Sequence, residues 1–332
     1  MIQFARFANS AAINPGFVLI LAMYLLSFVD WRWLANQNWV KFGVYGLSIA
    51  LLVVAYLFAP SIRNVRSWLV FGPFQYQPSE LLKLGLILVY AGFFARRHLE
   101  TALFKNIFIS FLYLVPPLSL ILLQPDLGSA LIVSGIWVGF LLVSGITKKQ
   151  FLLGVLIIIL LFGVAWLSLF KPYQKERIIT FLGLKSDPLG VSYNVIQSKI
   201  AIGSAGLFGK GFGQGTQVQL GFLPEAQTDF IFAAFIEEWG LVGGLFLVLA
   251  FCLIIFRIIR IGLRTYGNYA KFICLGTIMI MILHFFFNVG SNVGFSPVIG
   301  VPFPFLSYGG SNLLTLFILV GIIQNIIKES SF

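Results

Sequence analysis

Acidic residues are scarce in this chain, with 11 Asp and Glu against 22 Lys and Arg in 332 residues. The two cysteines, Cys252 and Cys274, fall inside apolar runs and are predicted to be packing residues. Only two histidines are present, and no Cys or carboxylate cluster completes a metal site with either. Charged residues make up 10% of the chain, hydrophobic residues 59%, and the mean hydropathy is +0.97. These values exclude an ordinary soluble domain and indicate an integral membrane protein.

Several motifs of soluble proteins are absent as well. GKGFGQGT at 209–216 is glycine-rich, but it lacks the Lys-Ser/Thr ending of a P-loop and follows no strand pattern, so it predicts a flexible turn. No nucleic-acid motif accompanies the formal net charge of +11. That charge therefore indicates membrane topology and contact with lipid headgroups, not nucleic-acid binding. The N-terminal stretch has no signal-peptide cleavage site, so its apolar run is expected to be a retained span.

Apolar segments of about 17 to 25 residues recur along the chain, and each matches the roughly 30 Å hydrocarbon core when it forms a helix. The period-2 alternation of a membrane barrel is missing. The sequence therefore predicts an all-α polytopic membrane protein, with a single membrane domain over 1–332 and one long polar loop near 171–228. Nine helices are predicted, near 14–30, 40–59, 78–95, 107–123, 127–145, 150–170, 229–256, 270–291 and 308–328.

Orientation follows from the basic residues, because short loops rich in Lys and Arg stay on the cytoplasmic side. One set of alternate loops is basic, and it holds Arg32, Lys41, Arg96, Arg97, Lys105, Lys148, Lys149, Arg257, Arg260, Arg264 and Lys271. The opposite short loops hold little beyond Arg63 and Arg66. The long 171–228 loop is therefore predicted to lie outside, since long loops cross the membrane largely regardless of their charge.

Five of the few carboxylates lie in or beside the predicted helices, where ionisable groups are costly and are therefore functional candidates. They are Glu80, Asp126, Asp229, Glu237 and Glu238. At most one of the adjacent Glu237 and Glu238 can face the same groove as Asp229. Each of the others has a structural alternative. Glu80 and Lys83 in QPSELLK, three residues apart, can neutralise each other, and Asp126 can stabilise a helix N-terminus.

The stretch FLPEAQTDFIF at 222–232 sets two carboxylates, Glu225 and Asp229, against the start of an apolar run. Asp229 sits where a helix is predicted to begin, so it is either a helix cap or a site residue. The physical chemistry of the sequence leaves both alternatives open.

Four longer stretches together resemble the SEDS family (shape, elongation, division and sporulation), and its RodA branch more than FtsW. They are RSWLVFGPFQYQPSELLK at 66–83, QPDLGSALI at 124–132, SDPLGVSYNVIQSKIAIGSAGLFGKGFGQGTQVQLGFLPEAQTDFIFA at 186–233 and PVIGVPFPFLSYGGSN at 297–312. Family members commonly have ten helices, with three before RSWL, whereas two are predicted here. SFVDWRWL at 27–34 resembles the end of the family's second helix, so the first helix is expected to be missing and the N-terminus to lie outside.

The resemblance implies a peptidoglycan glycosyltransferase that polymerises lipid II at the outer face of the bacterial cytoplasmic membrane. The implied partners are lipid II, undecaprenyl-diphosphate-linked glycan, a class B penicillin-binding protein and membrane lipids. The resemblance also makes Asp229 the catalytic carboxylate and Glu80 and Lys83 its supporting ion pair. Substrate or diphosphate binding is expected from residues near these motifs: Arg66, Lys83, Lys199, Lys210, Asp126 and Glu225. A divalent cation, Mg²⁺ or Mn²⁺, is a further candidate for steadying the diphosphate.

Two other functions stay open at this point. The buried charges also suit a lipid II flippase, which would show broken helices at corresponding positions of two halves. No internal symmetry of that kind is visible in the sequence. A scaffold that positions a penicillin-binding protein without catalysis is the third reading. Both rivals predict that Asp229 is dispensable for polymer synthesis.

Overall fold

The computed structural model describes residues 23–25, 27–28, 30–60, 65–71, 74–97, 103–168, 175, 179, 181 and 192–330. A short hairpin pairs β1 (Leu69–Phe71) with β2 (Phe74–Tyr76) in antiparallel register, Val70 opposite Gln75. The helices of the described ranges are α1 (Trp31–Asn36), α2 (Asn38–Phe58), α3 (Pro78–Arg97), α4 (Phe104–Leu123), α5 (Leu127–Val143), α6 (Lys148–Ser168), α7 (Tyr193–Ser204), α8 (Thr216–Gln219), α9 (Ile231–Arg264), α10 (Asn268–Val293) and α11 (Gly310–Ser330).

Six of these helices are long and apolar enough to cross a membrane, namely α2, α3, α4, α9, α10 and α11. The apolar α5, with 17 residues, and α6, with 21, coincide with two further predicted spans. The prediction of an all-α polytopic membrane protein is therefore confirmed. The span predicted near 14–30 falls mostly outside the described residues, as does most of 171–191.

The centre of the bundle is α3, of which 83% is buried. It packs against α2, α4, α5, α10 and α11. An aromatic column ties three of these helices together, because Phe94 of α3 lies 5.6 Å from the ring of Phe140, which stacks at 5.8 Å on Phe272 of α10. Gly276 of α10 faces Ile87 of α3, and such small residues allow membrane helices to approach closely.

Segments that the prediction places outside the membrane meet at one end of this bundle. The Gln77 side chain donates to Asp126 Oδ2 at 3.0 Å, and the Gln77 amide donates to Ser311 Oγ at 3.1 Å. At the other end, Arg96 donates to Asn38 Oδ1 at 3.3 Å. The distribution of basic residues predicts that the end with Arg96 is cytoplasmic and that the end with Gln77 and Asp126 lies outside. We call the end with Gln77 and Asp126 the outer end.

The helix predicted at 229–256 is not continuous. It begins at Ile231, extends to Arg264 and is interrupted at Gly240, whose φ of 73° and ψ of −178° are not helical. A loop at 206–211 enters the break: Lys210 and Gly211 donate to the carbonyls of Glu237 and Glu238 at 2.9 and 3.0 Å. Leu241 and Val242 donate back to the carbonyls at positions 206 and 207, each at 3.1 Å. The sequence predicts a flexible turn near here, but the structure shows a loop whose backbone completes a helix.

Glycine is required at the break for two reasons. A positive φ is strained for any residue with a side chain, and a Cβ on Gly240 would collide with the Leu207 carbonyl. One glycine in a long apolar run gives little warning of this in the sequence.

An ion pair holds the loop in place. Lys210 Nζ lies 2.7 Å from Glu237 Oε1 and also donates to Ser204 and Thr216, both at 2.8 Å. The Glu237 carboxylate is fully buried and accepts a further bond from the Gln217 amide at 2.9 Å. Glu237 is thus the member of the adjacent pair that bonds within the protein.

We expect Lys210→Met to lower the free energy of unfolding by about 3 kcal/mol, because it leaves a buried carboxylate unpaired. This is the lower end of the usual range, since the Lys210 side chain is 24% exposed. Thermal unfolding in detergent measures the effect, with the exposed Lys271→Met as the matched control. Adding Glu237→Gln should recover most of the loss, and a single variant as stable as the wild type would contradict the assignment.

Candidate functional site at the outer end

A polar stripe runs along one face of α10. His284, Asn288 and Asn292 are spaced four residues apart, so they share a face of the helix, and each is fully buried. In a span that is otherwise apolar, buried polar side chains require hydrogen-bond partners. Their partners come from α3, α11 and the two outer segments at 227–233 and 301–308.

The two asparagines fix the backbone at Asp229. Their side-chain amides both donate to the Asp229 carbonyl, at 3.0 Å from Asn288 and 2.9 Å from Asn292. Asn292 Oδ1 also accepts from the Ala233 amide at 3.0 Å, and Ser307 donates to the Thr228 carbonyl at 2.7 Å. The position of Asp229 is therefore set by side chains of α10 and by the segment that precedes α11.

The carboxylate of Asp229 lies beside Gly300. A Cβ on Gly300 would be 3.6 Å from Asp229 Oδ2, and the φ of +70° at Gly300 again favours glycine. Helix α9 starts at Ile231 with Phe230 at its N-cap, so Asp229 precedes the cap and lies outside the first turn. Asp229 is therefore not the N-cap residue of α9.

Glu80 and Lys83 form an ion pair at the centre of the bundle. Lys83 Nζ is 2.7 Å from Glu80 Oε1, and both side chains are 3% exposed. Lys83 also lies 3.1 Å from His284 Nε2, and Asn312 of α11 donates to Glu80 Oε2 at 3.3 Å. Every strongly polar group of the pair thus has a second partner, as burial in a membrane requires.

The partners of His284 define its tautomer. The Lys83 ammonium can only donate, so in the neutral ring Nε2, 3.1 Å away, is the acceptor and Nδ1 carries the proton. Nδ1 lies 3.2 Å from the Pro302 carbonyl, which accepts its hydrogen bond, and 3.2 Å from Asn312 Nδ2. His284 therefore supports the lysine without adding a second charge to the cluster.

A small polar cavity lies beside the ion pair and extends to Gly300. It is lined by Glu80, Lys83, His284, Ser129 and Gly300, among others. Gly300 is the link, because it borders the cavity and faces the Asp229 carboxylate. Nearby Tyr76, in β2, stays neutral, since burial raises the pKa of its phenol and the Glu80 charge raises it further.

Two other predicted carboxylates have structural partners here. Asp126 is the N-cap of α5, accepting from the Ser129 amide at 3.0 Å and its hydroxyl at 2.8 Å. It also accepts from Gln77, which lines the cavity, so it braces the cavity wall. Glu225 has a positive φ of 54° in the turn before Asp229, and its carboxylate accepts from the Thr228 hydroxyl at 3.2 Å.

The structure separates the three candidate cations other than Lys83. Lys210 is committed to Glu237, in the break of α9. Lys199 is exposed, and its ammonium lies over Gly294 at the C-terminus of α10. Arg66 is exposed before β1. Among the described residues no group of three or more His, Cys, Asp or Glu side chains could hold a metal ion.

Sequence reasoning missed the neutral half of the site. A lone histidine in a span, such as His284, is predicted to be a hydrogen-bonding residue of the bundle more often than a metal ligand, and the structure confirms this. Asn288, Asn292 and Asn312 are not among the predicted site residues. The available signal was the four-residue spacing of polar side chains within an apolar span. Asn312 belongs to SYGGSN, which sequence reasoning assigns to close packing at a helix start.

The fold and the site together define a polytopic helical membrane protein with a buried charged cluster and, at its outer end, the carboxylate of Asp229. Residues 5–331 match the family of FtsW, RodA and SpoVE, described as cell cycle proteins. The chain belongs to this family.

Named relatives agree with that assignment. The peptidoglycan glycosyltransferase MrdB of Escherichia coli K12 is 39% identical over 87% of this chain and 78% of its own. The stage V sporulation protein E of Bacillus subtilis is 36% identical over 98% of this chain and 88% of its own. An FtsW of Geobacter metallireducens, named a probable peptidoglycan glycosyltransferase, is 33% identical over 92% and 80%.

Two solved structures share the fold. One is a chain from a peptidoglycan synthase complex, described for the coordination of polymerization and crosslinking, with a TM-score of 0.79, 32% identity and coverage of 95% of this chain and 88% of that one. The other is a mutant of the rod shape determining protein RodA of Thermus thermophilus, with a TM-score of 0.68, 26% identity and coverage of 96% and 88%.

We expect Lys83→Met to lower the free energy of unfolding by about 3–5 kcal/mol, because Glu80 is then left charged and unpaired at the centre of the bundle. The double variant Glu80→Gln with Lys83→Met should regain most of that stability. Thermal unfolding of the purified proteins tests this, with the exposed Lys105→Met as control. If the double variant is no more stable than the single one, the pair is not the origin of the loss.

Proposed function

We propose that this chain, as a single membrane domain over residues 1–332, polymerises lipid II into glycan strands at the outer face of the cytoplasmic membrane, with Asp229 as the general base. The enzyme class follows from the family and from relatives that are themselves named peptidoglycan glycosyltransferases. The 39% identity to MrdB, against 33% to a named FtsW, supports a role in cell elongation.

The observation that carries the proposal is the placement of Asp229. Its backbone is held by two buried asparagines, while its carboxylate lies beside Gly300 at the border of the cavity that contains Glu80 and Lys83. Asp229 is not the N-cap residue of α9, since Phe230 takes that position. Its backbone, which sets where the base sits, is fixed by the fold.

The chemistry needs one base. Polymerisation joins a sugar 4-hydroxyl to the anomeric carbon of a second molecule and expels a lipid diphosphate. A glycosidase must protonate its leaving alkoxide with a second carboxyl group. A diphosphate is already a good leaving group and needs charge stabilisation instead. Asp229 would accept the hydroxyl proton as the new bond forms, and cations would hold the departing diphosphate.

Arg66 and Lys199 are better placed for the diphosphate than the other cations of the site. Both are exposed at the outer end, whereas Lys83 is buried against Glu80 and Lys210 is bound to Glu237. Lys83 lines the cavity, and its proposed role is to support the site through its ion pair with Glu80.

A class B penicillin-binding protein is the proposed partner. The similar chain from a complex that coordinates polymerization and crosslinking supports this, because crosslinking is a second reaction that this site does not supply. Lipid II is the proposed substrate, and its lipid tail would stay in the bilayer while its sugars reach the outer end of the bundle.

The flippase alternative called for broken helices at corresponding positions in two halves. Within the described residues, the interruption at Gly240 is filled by the loop at 206–211, whose hydrogen bonds close it. Lipid II polymerisation is therefore favoured over transport. The variant Asp229→Asn tests both functions.

We expect Asp229→Asn to lower lipid II polymerisation by about 10²- to 10⁴-fold, which is the usual contribution of a general base. The unfolding temperature should stay close to that of the wild type, because Asn288 and Asn292 bind the backbone carbonyl of Asp229 and not its side chain. Glycan chain formation by the purified protein, with and without a class B penicillin-binding protein and Mg²⁺, is the measurement.

The matched control is Asp30→Asn, a change of the same kind at the N-cap of α1, because asparagine caps a helix as well as aspartate does. Wild-type rates from Asp229→Asn would refute the assignment of the base. If the wild-type protein binds lipid II but forms no polymer under any of these conditions, transport or scaffolding would be favoured instead.

A second expectation concerns the diphosphate. Arg66→Gln and Lys199→Gln should raise the KM for lipid II more than they lower kcat, if these residues bind the diphosphate equally in the ground and transition states. Steady-state kinetics over a range of lipid II concentrations separates the two constants. An unchanged KM in both variants would remove them from the substrate site.

A further inference from the structure

The surface around the break in α9 is strongly apolar although it belongs to the outer loop. Leu207 is 62% exposed, Phe208 81%, Phe212 71% and Trp239 50%. The Phe212 and Trp239 rings lie 6.2 Å apart, which joins the loop to the helix. In a loop surrounded by water, several large exposed apolar side chains side by side would be costly.

This patch continues a lipid-facing surface. Beyond Gly240, α9 exposes Leu245, Phe246, Leu249 and Leu253, by 60%, 74%, 56% and 61%. Side chains of that kind on a membrane span face the acyl chains. The loop patch adjoins the outer end of this surface, because its backbone is bonded to Leu241 and Val242, the first residues after the break.

The length of the span points to the same conclusion. From Leu241 to Phe256, before the cytoplasmic Arg257, α9 has sixteen residues, which rise about 24 Å. The hydrocarbon core is about 30 Å thick. The outermost 6 Å or so of apolar thickness therefore falls at the level of Gly240 and the loop that enters the break.

The hydrogen bonding of the break fits that depth. In hydrocarbon, an interrupted helix must have its free amides and carbonyls satisfied by protein, because no water is available. The loop does this with four backbone bonds of 2.9 to 3.1 Å. If the break lay in water, solvent could bond these amides and carbonyls, and the four bonds would not be needed.

From these observations we propose that the loop at 206–212, together with Trp239, is embedded in the outer leaflet, where Leu207, Phe208 and Phe212 contact lipid acyl chains. The loop is thus a membrane anchor built into an extracytoplasmic segment. It anchors the first half of α9, Ile231–Trp239, which starts two residues after Asp229.

Spin-label accessibility in lipid nanodiscs tests the anchor. In a background of Cys252→Ser and Cys274→Ala, single variants Phe208→Cys and Phe212→Cys carry a nitroxide. Phe246→Cys is the lipid control, and Gln219→Cys, exposed at the end of α8, is the water control. The nanodiscs contain phosphatidylglycerol and phosphatidylcholine, and neither lipid II nor a partner protein is added. Unchanged unfolding temperatures establish that each labelled protein is folded.

If the loop is a membrane anchor, we expect the collision rate of labels at 208 and 212 with oxygen to exceed that with a water-soluble nickel chelate at least threefold. The lipid control at 246 should show the same preference for oxygen, and the water control at 219 should not. Collision with nickel equal to that at 219 would place the loop in water and overturn the proposal. Low collision with both reagents would also overturn it, because a second copy of the chain would then cover the patch.

Discussion

Everything at the outer end depends on burying Glu80 and Lys83 together. A carboxylate and an ammonium in the middle of a membrane bundle are stable only when their charges cancel and their remaining donors and acceptors are met. Here the cancellation comes from a 2.7 Å contact within one helix, and the remaining bonds come from His284 of α10 and Asn312 of α11. Three helices are thereby set in register at the floor of the cavity.

The same helix that receives Lys83 also positions the proposed base. Along α10, His284 supports the ion pair, and Asn288 and Asn292, one and two turns further on, hold the Asp229 carbonyl. The rise of α10 therefore relates the charged cluster to the Asp229 backbone, and Ser307, which bonds the Thr228 carbonyl, holds that backbone from the segment before α11. Support of this kind suits a site whose side chains must be held in place.

Charge at membrane depth is rare enough to mark Glu80, Lys83 and Asp229 as functional candidates from sequence, whereas the role given to each came from the family resemblance and stays a prediction. The helices could be predicted for a related reason, since apolar runs of the right length have few alternatives. Neutral polar residues carry a weaker signal, and their partners are distant in sequence: Asn312 bonds Glu80 across 232 positions. The break at Gly240 could not be predicted, because the loop that completes it lies about thirty residues earlier and only the fold brings the two together.

The interruption of α9 also separates two mechanical elements. Bilayers differ in thickness, and spanning helices respond by tilting. A continuous helix of 34 residues would carry such a tilt directly to its outer end. The loop at 206–211 bonds to both sides of the interruption, so Ile231–Trp239 and the part after Gly240 are joined by those bonds instead of by a continuous helical ladder. A change of tilt in the part after Gly240 therefore reaches the segment beside Asp229 only through the loop.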